Sequence, residues 1–526
     1  MIVVNILGFV FLLGLVILIH ELGHYIMAKR AGILCHEFAL GMGPILYSKK
    51  KGETLFSIRA IPIGGFVSMA GEEMTTELVK VGREVRLVFG DDERVTHIVL
   101  DPTDQRYPDA ESVMVEFVDL QAKDGGKLYI NHHEVRRDAF YVLSNKEMQI
   151  APYDRSFESK KLGQRFGTIV AGPVMNFLLA LVIFFIASLF VGQPVESDTE
   201  IGGVAPESPA DRAGLVEGDR LIEINGMPIS DWDDIRMALR SGDWGAPVDV
   251  TIERDGADIV HTITPRLSFF AYGFSSDPTV DDAVVVGTVG NNTAASNARE
   301  LNTDTRTPLQ TGDEILSIGY AGDTPTPVTS WDDVVTFMQD NEQGRDTIIE
   351  VRRDDNGDTV TKTLFFEPLD NDFLRGQRVE PIQSAIGIGP TYAFDFFAAF
   401  PTAGRQLGAV SMQIFRTIGA LFGDSRVGVG DLAGPIGIYD ITTQFISQGA
   451  LDFLVWIGFL SVNLGFINLL PIPALDGGRL VFLGYEAVAR RPVNKTVENT
   501  LHFIMFVLLI TLFVFIAFND VLRLLN

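Results

Sequence analysis

Four long apolar runs punctuate an otherwise polar chain: residues 2–27, 167–192, about 452–472 and 501–518. Each is long enough, or nearly so, to cross about 30 Å of hydrocarbon as a helix rising about 1.5 Å per residue. The first lacks a basic leader and a small-residue cleavage site, so it reads as a retained span rather than a signal peptide. Between the spans the period changes. Residues 43–47 and 54–61 are extended runs around a polar stretch, 48–53, which predicts a hairpin with its turn there. Pro62 confines the stretch 61–66 to an edge or a bulge. Residues 74–158 are mixed, with strand-like stretches at 96–100 and 112–117, and predict a small α+β insertion. His132 and His133 are adjacent; on a strand they face opposite ways and make poor ligands. Residues 394–422 join Phe394, Phe396, Phe397 and Phe400 to Arg405, Gln406, Gln413 and Arg416. That pattern predicts an interfacial amphipathic helix. A fifth span is the alternative, and it inverts the orientation of the chain beyond it.

The segment between spans two and three repeats itself. Gly218-Asp219-Arg220-Leu221-Ile222 matches Gly312-Asp313-Glu314-Ile315-Leu316, and Asp231-Trp232-Asp233-Asp234-Ile235 matches Ser330-Trp331-Asp332-Asp333-Val334, at offsets of 94 and 99 residues. Two related modules are predicted. The first, with Ser208-Pro209-Ala210-Asp211-Arg212-Ala213-Gly214-Leu215 and Ile224-Asn225-Gly226, resembles PDZ domains of the permuted bacterial kind. The second has residues 297–308 in place of the Ala-Gly-Leu element and reads as a degenerate copy. Such domains bind extended chain ends by adding a strand to a sheet edge. Steric bulk is the other role open to them.

Charge orients the chain. The net charge is −26, and residues 194–451 hold 17 Lys+Arg against 41 Asp+Glu. Such acidity argues against nucleic acid and anionic lipid as partners of that segment. Basic residues flank the spans instead: Lys29 and Arg30; Lys160, Lys161 and Arg165; Arg490, Arg491 and Lys495. Basic flanks mark the cytoplasmic side. Spans one and three then run inward and two and four outward, with both termini and the acidic segment outside the cytoplasm. Cys35 is the single cysteine, so no intrachain disulfide forms.

The candidate chemistry sits inside the first run, at His20-Glu21-Leu22-Gly23-His24. On a helix His20 and His24 share a face, and that spacing lets two imidazoles reach one zinc. Glu21 can serve the bound water as general base. Ionisable groups at membrane depth read as functional. A catalytic zinc needs a third protein ligand. Asp476 is the one carboxylate in the stretch that ends span three, after Pro471 and Pro473 and before Gly477-Gly478. Spans one and three end at the same leaflet, so Asp476 can join the histidines. His24 lies five residues before Lys29, about 7 Å inside that edge by helical rise.

These motifs closely resemble the site-2 protease family of intramembrane zinc metalloproteases, and within it the regulators of sigma-factor signalling. The match runs through His20–His24, Ala171-Gly172-Pro173-Val174-Met175-Asn176, the PDZ region, Gly434-Pro435-Ile436-Gly437, Asn468-Leu469-Leu470-Pro471 and Leu475-Asp476-Gly477. The duplicated PDZ region departs from the single domain expected of many Gram-positive members. The resemblance implies a multi-pass α-helical membrane protein of four transmembrane helices. To these it adds a membrane-associated β-hairpin, a small cytoplasmic α+β insertion and two extracytoplasmic PDZ-like α+β domains. The corresponding segments are 1–28 (span one), 29–73 (hairpin), 74–165 (insertion), 166–193 (span two), 195–268 and 283–369 (PDZ), 390–450 (interfacial helices), 451–480 (span three) and 500–523 (span four). It implies one zinc per chain on His20, His24 and Asp476, with Glu21 as base. Asn468 and Asn463 are implied to hold substrate, as is the hairpin 43–66 through Ile58, Ile61, Gly64 and Gly65. A helix-end cap is the other reading of Asn468, and helix packing is the reading of Asn176. The implied activity is a metalloendopeptidase of the bacterial plasma membrane, with its site toward the cytoplasmic leaflet. Its substrates are trimmed single-pass proteins such as anti-sigma factors, or signal-peptide remnants. The competing reading is an idle scaffold that binds peptides through its PDZ domains.

Overall fold

The computed structural model describes residues 2–71, 78–101, 104–123, 126–143, 146–195, 197–241, 243–280, 283–290, 293–301, 303, 305–341, 343–355, 358–369, 371–376, 379–423 and 434–525. Parts of the hairpin segment (72–73), the insertion and the interfacial segment (424–433) lie outside the described residues. The principal helices are α1 (Ile2–Arg30), α2 (Leu162–Val191), α3 (Trp232–Ala238), α4 (Trp331–Asp340), α5 (Phe396–Gly423), α6 (Pro435–Gln448), α7 (Ala450–Leu469), α8 (Asp476–Ala489) and α9 (Lys495–Leu525). The chain forms two units, one of Met1–Ser188 with Ala399–Asn526 and one of Leu189–Ala398.

In the first unit α1, α2, α7 and α9 are long and apolar enough to cross a membrane. Helix α5 is not among the four. Its Ala403 and Ile414 are buried with Leu12, Ala180, Phe184 and Ile457 of α1, α2 and α7, while Phe397 and Phe415 face outward. Ion pairs knit the basic ends. Arg165 holds Glu486 at 2.9 Å, Lys495 holds Glu158 at 2.5 Å, and Glu53 pairs with Lys29 and with Arg155. Helix α9 is tied to α6 by Asp520, whose carboxylate accepts the N–H groups of Gly434 and Gly437 at 3.2 and 2.9 Å. A carboxylate at a helix N-terminus satisfies open donors and meets the positive end of the helix dipole.

The hairpin is longer than predicted. Its strands are β1 (Cys35–Lys51) and β2 (Thr54–Met69), and only Gly52 and Glu53 turn. The polar 48–51 stretch is strand because it pairs with 54–57. Both strands bend, so the sheet is four segments wide. Phe38 registers with Val67 on one side and Phe56 on the other, while Lys49 registers with Phe56. The register passes from Leu40 opposite Gly65 to Met42 opposite Ile61, leaving Pro62 in a bulge. Gly65–Met69 is thus an edge, and among the described residues no strand pairs with its outer side. Cys35 is fully buried beneath the hairpin, which pushes its thiol up to about 11 and keeps it protonated.

The insertion corrects the α+β expectation. Seven strands form one sheet, and its only helical pieces are two short 3-10 turns, Tyr153–Arg155 and Phe157–Ser159, among the described residues. In Glu84–Phe89 the apolar Val85, Leu87 and Phe89 recur at every second residue, the spacing of a strand. His132 and His133 do not oppose each other: their rings lie 3.9 Å apart, because Asn131 and His132 make a turn and the strand begins at His133.

The second unit holds two β modules of one plan. In the first, Arg220–Ile224, Val248–Arg254 and Ala257–Ile263 form a sheet beside α3; in the second, Glu314–Tyr320, Thr347–Asp355 and Asp358–Phe366 do so beside α4. Both helices begin in a capping box, Asp231 with Asp234 and Ser330 with Asp333. Both modules pair a buried aspartate with an arginine, Asp219 with Arg254 and Asp313 with Arg353, and only the second arginine is itself buried. The arginines also donate to Gly214 O and Pro308 O.

The modules are nested. Ala271-Tyr272-Gly273-Phe274 and Ala385-Ile386-Gly387-Ile388 occupy the same place in each. Gly273 O accepts Gly290 N–H and Tyr272 O accepts Ala295 N–H; Gly387 O accepts Ala205 N–H and Ile386 O accepts Ala210 N–H. Gly273 and Gly387 have φ of +81° and +90°, which glycine adopts freely. Ile386, well beyond 195–268, therefore completes the first core, and the second module is inserted ahead of it. The ends of the unit meet, with Gln193–Pro194 paired to Tyr392–Ala393.

The modules differ at one edge. In the second, the strand Phe274–Ser276 is paired on both sides, by Val286–Val289 and by Arg266–Phe269. Leu267 and Phe269 are buried there, and Phe269 stacks on Trp331 of α4 at 5.5 Å. In the first, Ile388–Pro390 pairs only with Ile201–Val204 among the described residues.

Candidate metal centre

Two segments converge at the basic end of the apolar helices. Helix α1 brings His20, Glu21 and His24, and α8 begins at Asp476. His20 and His24 are 6% and 8% exposed. Their Nε2 atoms lie 3.2 Å apart, and each is 3.2–3.3 Å from Asp476 Oδ2. That oxygen is buried and has no hydrogen-bond partner. Ligand bonds of about 2.0–2.1 Å at tetrahedral angles put ligand atoms about 3.3 Å apart. The triangle therefore fits three corners of a zinc tetrahedron and leaves the fourth open. Among the described residues this is the only such His, Cys, Asp or Glu cluster.

Helix α2 shapes the site by what it lacks. A Cβ on Gly172 would stand 2.3 Å from His24 Nε2 and 2.9 Å from His20 Cε1. A Cβ on Gly23 would stand 2.3 Å from Ala171 O. Only glycine at both positions lets α1 and α2 touch with the imidazoles between them. The outer nitrogens are also met. His24 Nδ1–H donates to Thr168 O at 2.8 Å, which fixes the tautomer that frees Nε2. The Asn176 amide is 3.4 Å from His20 Nδ1, and its Oδ1 is buried without a hydrogen-bond partner. Turned by half a rotation, that oxygen accepts the Nδ1–H of a metal-bound His20. The sequence reading of Asn176 as packing missed this, although Asn176 does pack: Ser461 of α7 donates to its carbonyl at 2.9 Å.

A cavity of about 460 Å³ opens on this centre. Glu21, Asn468, Arg479 and the β2 edge Gly64, Gly65, Phe66, Val67 and Met69 line it. A Cβ on Gly65 would lie 3.0 Å from Glu21 Cγ, so the edge presses directly on the candidate base. Three expected substrate residues lie apart from it. Ile58 and Ile61 are about half exposed and do not line the cavity, and Ile58 registers with both Leu40 and Tyr47. Asn463 donates within its own helix to Phe459 O. Arg479 was missed, although it stands three residues after Asp476.

The model of Peptidase family M50 matches residues 8–512, a range that includes all three candidate ligands. The zinc metalloprotease RasP of Geobacillus kaustophilus is 32% identical, covering 98% of this chain and 97% of its own. The regulator of sigma-W protease RasP of Bacillus subtilis is 30% identical over the whole of both chains. A putative zinc metalloprotease of Staphylococcus aureus is 30% identical over 99% of this chain and 98% of its own. The chain belongs to peptidase family M50 and is a zinc metalloprotease.

Proposed function

We propose that this protease cleaves membrane-spanning segments of single-pass proteins, with one zinc held by His20, His24 and Asp476 and with Glu21 as general base. The 3.2–3.3 Å triangle of ligand atoms carries the reading. When bound, zinc supplies a Lewis acid for the scissile carbonyl and lowers the pKa of water toward about 7. Glu21 takes the proton of the attacking water and returns it to the amine as the C–N bond breaks. Gly65–Met69 offers its open backbone edge to the unwound substrate. A helix that unwinds in lipid exposes N–H and C=O groups at several kcal/mol each, so an added strand offsets much of that cost. Asn468, in the cavity wall, is suited to hold the substrate backbone.

The membrane is the bacterial plasma membrane, both termini lie outside, and the site faces the cytoplasmic leaflet; the clustered basic ends support this. The Bacillus subtilis relative is a regulator of sigma-W protease, which supports an anti-sigma factor as substrate; signal-peptide remnants are single spans of the same chemistry. The outer modules are PDZ-like. In the first, Ile388–Pro390 is paired on one side alone among the described residues, so any peptide docking falls to it, and the second acts as bulk that holds back untrimmed ectodomains.

The test is Glu21→Gln on a model single-span substrate, with metal analysis alongside. Loss of a general base costs about 10²–10⁴-fold. Zinc bound at the wild-type level with cleavage reduced by that much is expected. Cleavage at the wild-type rate removes Glu21 from the mechanism.

A further inference from the structure

Between Glu498 and Asp520, α9 carries a single ionisable side chain, His502. An imidazole in a span calls for a partner. Its Nδ1 accepts the backbone N–H of Ala474 at 2.8 Å. Ala474 stands two residues before Asp476 and lines the metal cavity with Leu475. Its φ is +83°, a left-handed conformation that a Cβ disfavours. On the other side the turn is already fixed. A Cβ on Gly477 would meet Leu470 O at 2.1 Å, and one on Gly478 would meet Ile472 O at 2.4 Å. The His502 ring also packs on Phe482, with centroids 5.5 Å apart.

Resting on the reading of Asp476 as a ligand, we propose that His502 is a positioning residue for the metal centre. By accepting the Ala474 N–H from a neighbouring span, it holds the strained turn that aims Asp476 at His20 and His24. Without it that N–H loses its partner, and the left-handed turn at Ala474 is free to relax. Helix α9 adds no ligand, yet it sets how well the ligand set is assembled.

The experiment is competition for zinc between a chelator and purified full-length protein. Outer partners of metal ligands are worth about 10–100-fold in affinity. His502→Ala should lower zinc affinity by that amount. Ala474→Gly in the same chain should restore part of the loss, because glycine adopts the turn without strain. Phe482→Leu removes the ring contact alone and should leave affinity unchanged. Wild-type affinity in His502→Ala overturns the proposal. So does a loss in Phe482→Leu equal to that in His502→Ala with no rescue by Ala474→Gly, since packing then explains both. Asp476→Ala separates the two layers: zinc held at the wild-type level there sinks the ligand reading, whereas its loss there with retention in His502→Ala sinks only this one. Should His502→Ala not fold, His502→Leu, which keeps bulk but offers no acceptor, gives the same comparison with and without Ala474→Gly.

Discussion

The metal centre and the paired β modules both assemble residues far apart in sequence, but by opposite means. At the metal centre, room decides. Gly172, Gly23 and Gly65 each stand where a Cβ would meet an imidazole, a carbonyl or the candidate base. In the modules, charge and repeated hydrogen bonds decide. Each pairs a buried aspartate with an arginine, starts its helix in a capping box, and makes the same two backbone bonds around its Ala-x-Gly element. The first region should therefore fail on added volume and the second on removed charge.

The largest effect tests volume. Gly172→Ala should abolish cleavage, by at least about 100-fold, and lower zinc retention, because the imidazoles must move. Gly163→Ala on the same helix, where a Cβ meets nothing within 4 Å, should do neither. Equal activity of the two variants breaks the comparison.

The next tests charge. Arg353→Ala leaves Asp313 buried at 1% exposure without its partner. It should destabilise the second unit by about 3–5 kcal/mol in thermal or denaturant unfolding. Arg353→Met, which fills the space but removes the charge, should fare little better. A large rescue by Met shows that volume governs there too. Arg254→Ala should cost less, since Arg254 is already partly exposed.

A smaller effect is pH-dependent. Burial alone would raise the Asp219 carboxyl, but the Arg254 fork and the Val216 N–H outweigh it and hold it below its ordinary value. A lowered carboxylate contributes stability above its unfolded pKa and loses it as pH falls through the folded one. Acid melting of the second unit should thus show a loss of stability as pH falls between those two values that Asp219→Asn lacks. Coincident pH profiles for wild type and Asp219→Asn contradict it.

The gate is sharpened by the nesting. Removing 195–369 strands Ile386, which belongs to the first core. Removing 195–391 is the clean cut, because the flanking strands pair with each other. That deletion should admit untrimmed substrate while leaving cleavage of trimmed substrate near the wild-type rate. Unchanged selectivity removes the modules from the gate.

Much of this was legible in the chain. Long apolar runs mark the spans because hydropathy acts over many residues. The two histidines four apart stand out by spacing and the carboxylate after Pro473 by position, and the structure brings their candidate ligand atoms within 3.2–3.3 Å of one another. The nesting was not legible: the completing element is a few residues, Ala385-Ile386-Gly387-Ile388, with no period to mark it. Neither was the doubled hairpin, since one strand pairing with two partners leaves no mark on alternation. The polar 48–51 stretch looked like a turn because its pairing, not its composition, makes it strand. Asp520 and His502 act from α9 on backbone N–H groups that any residue carries, so no motif announces them.

X-ray absorption at the zinc edge on the purified wild type and on Asp476→Ala tests the central claim most directly. The account predicts one zinc per chain in the wild type, with two imidazoles and a carboxylate oxygen at about 2.0–2.1 Å, and zinc lost or missing that oxygen in Asp476→Ala. A zinc shell identical in both proteins, or one with fewer than two imidazoles in the wild type, contradicts it.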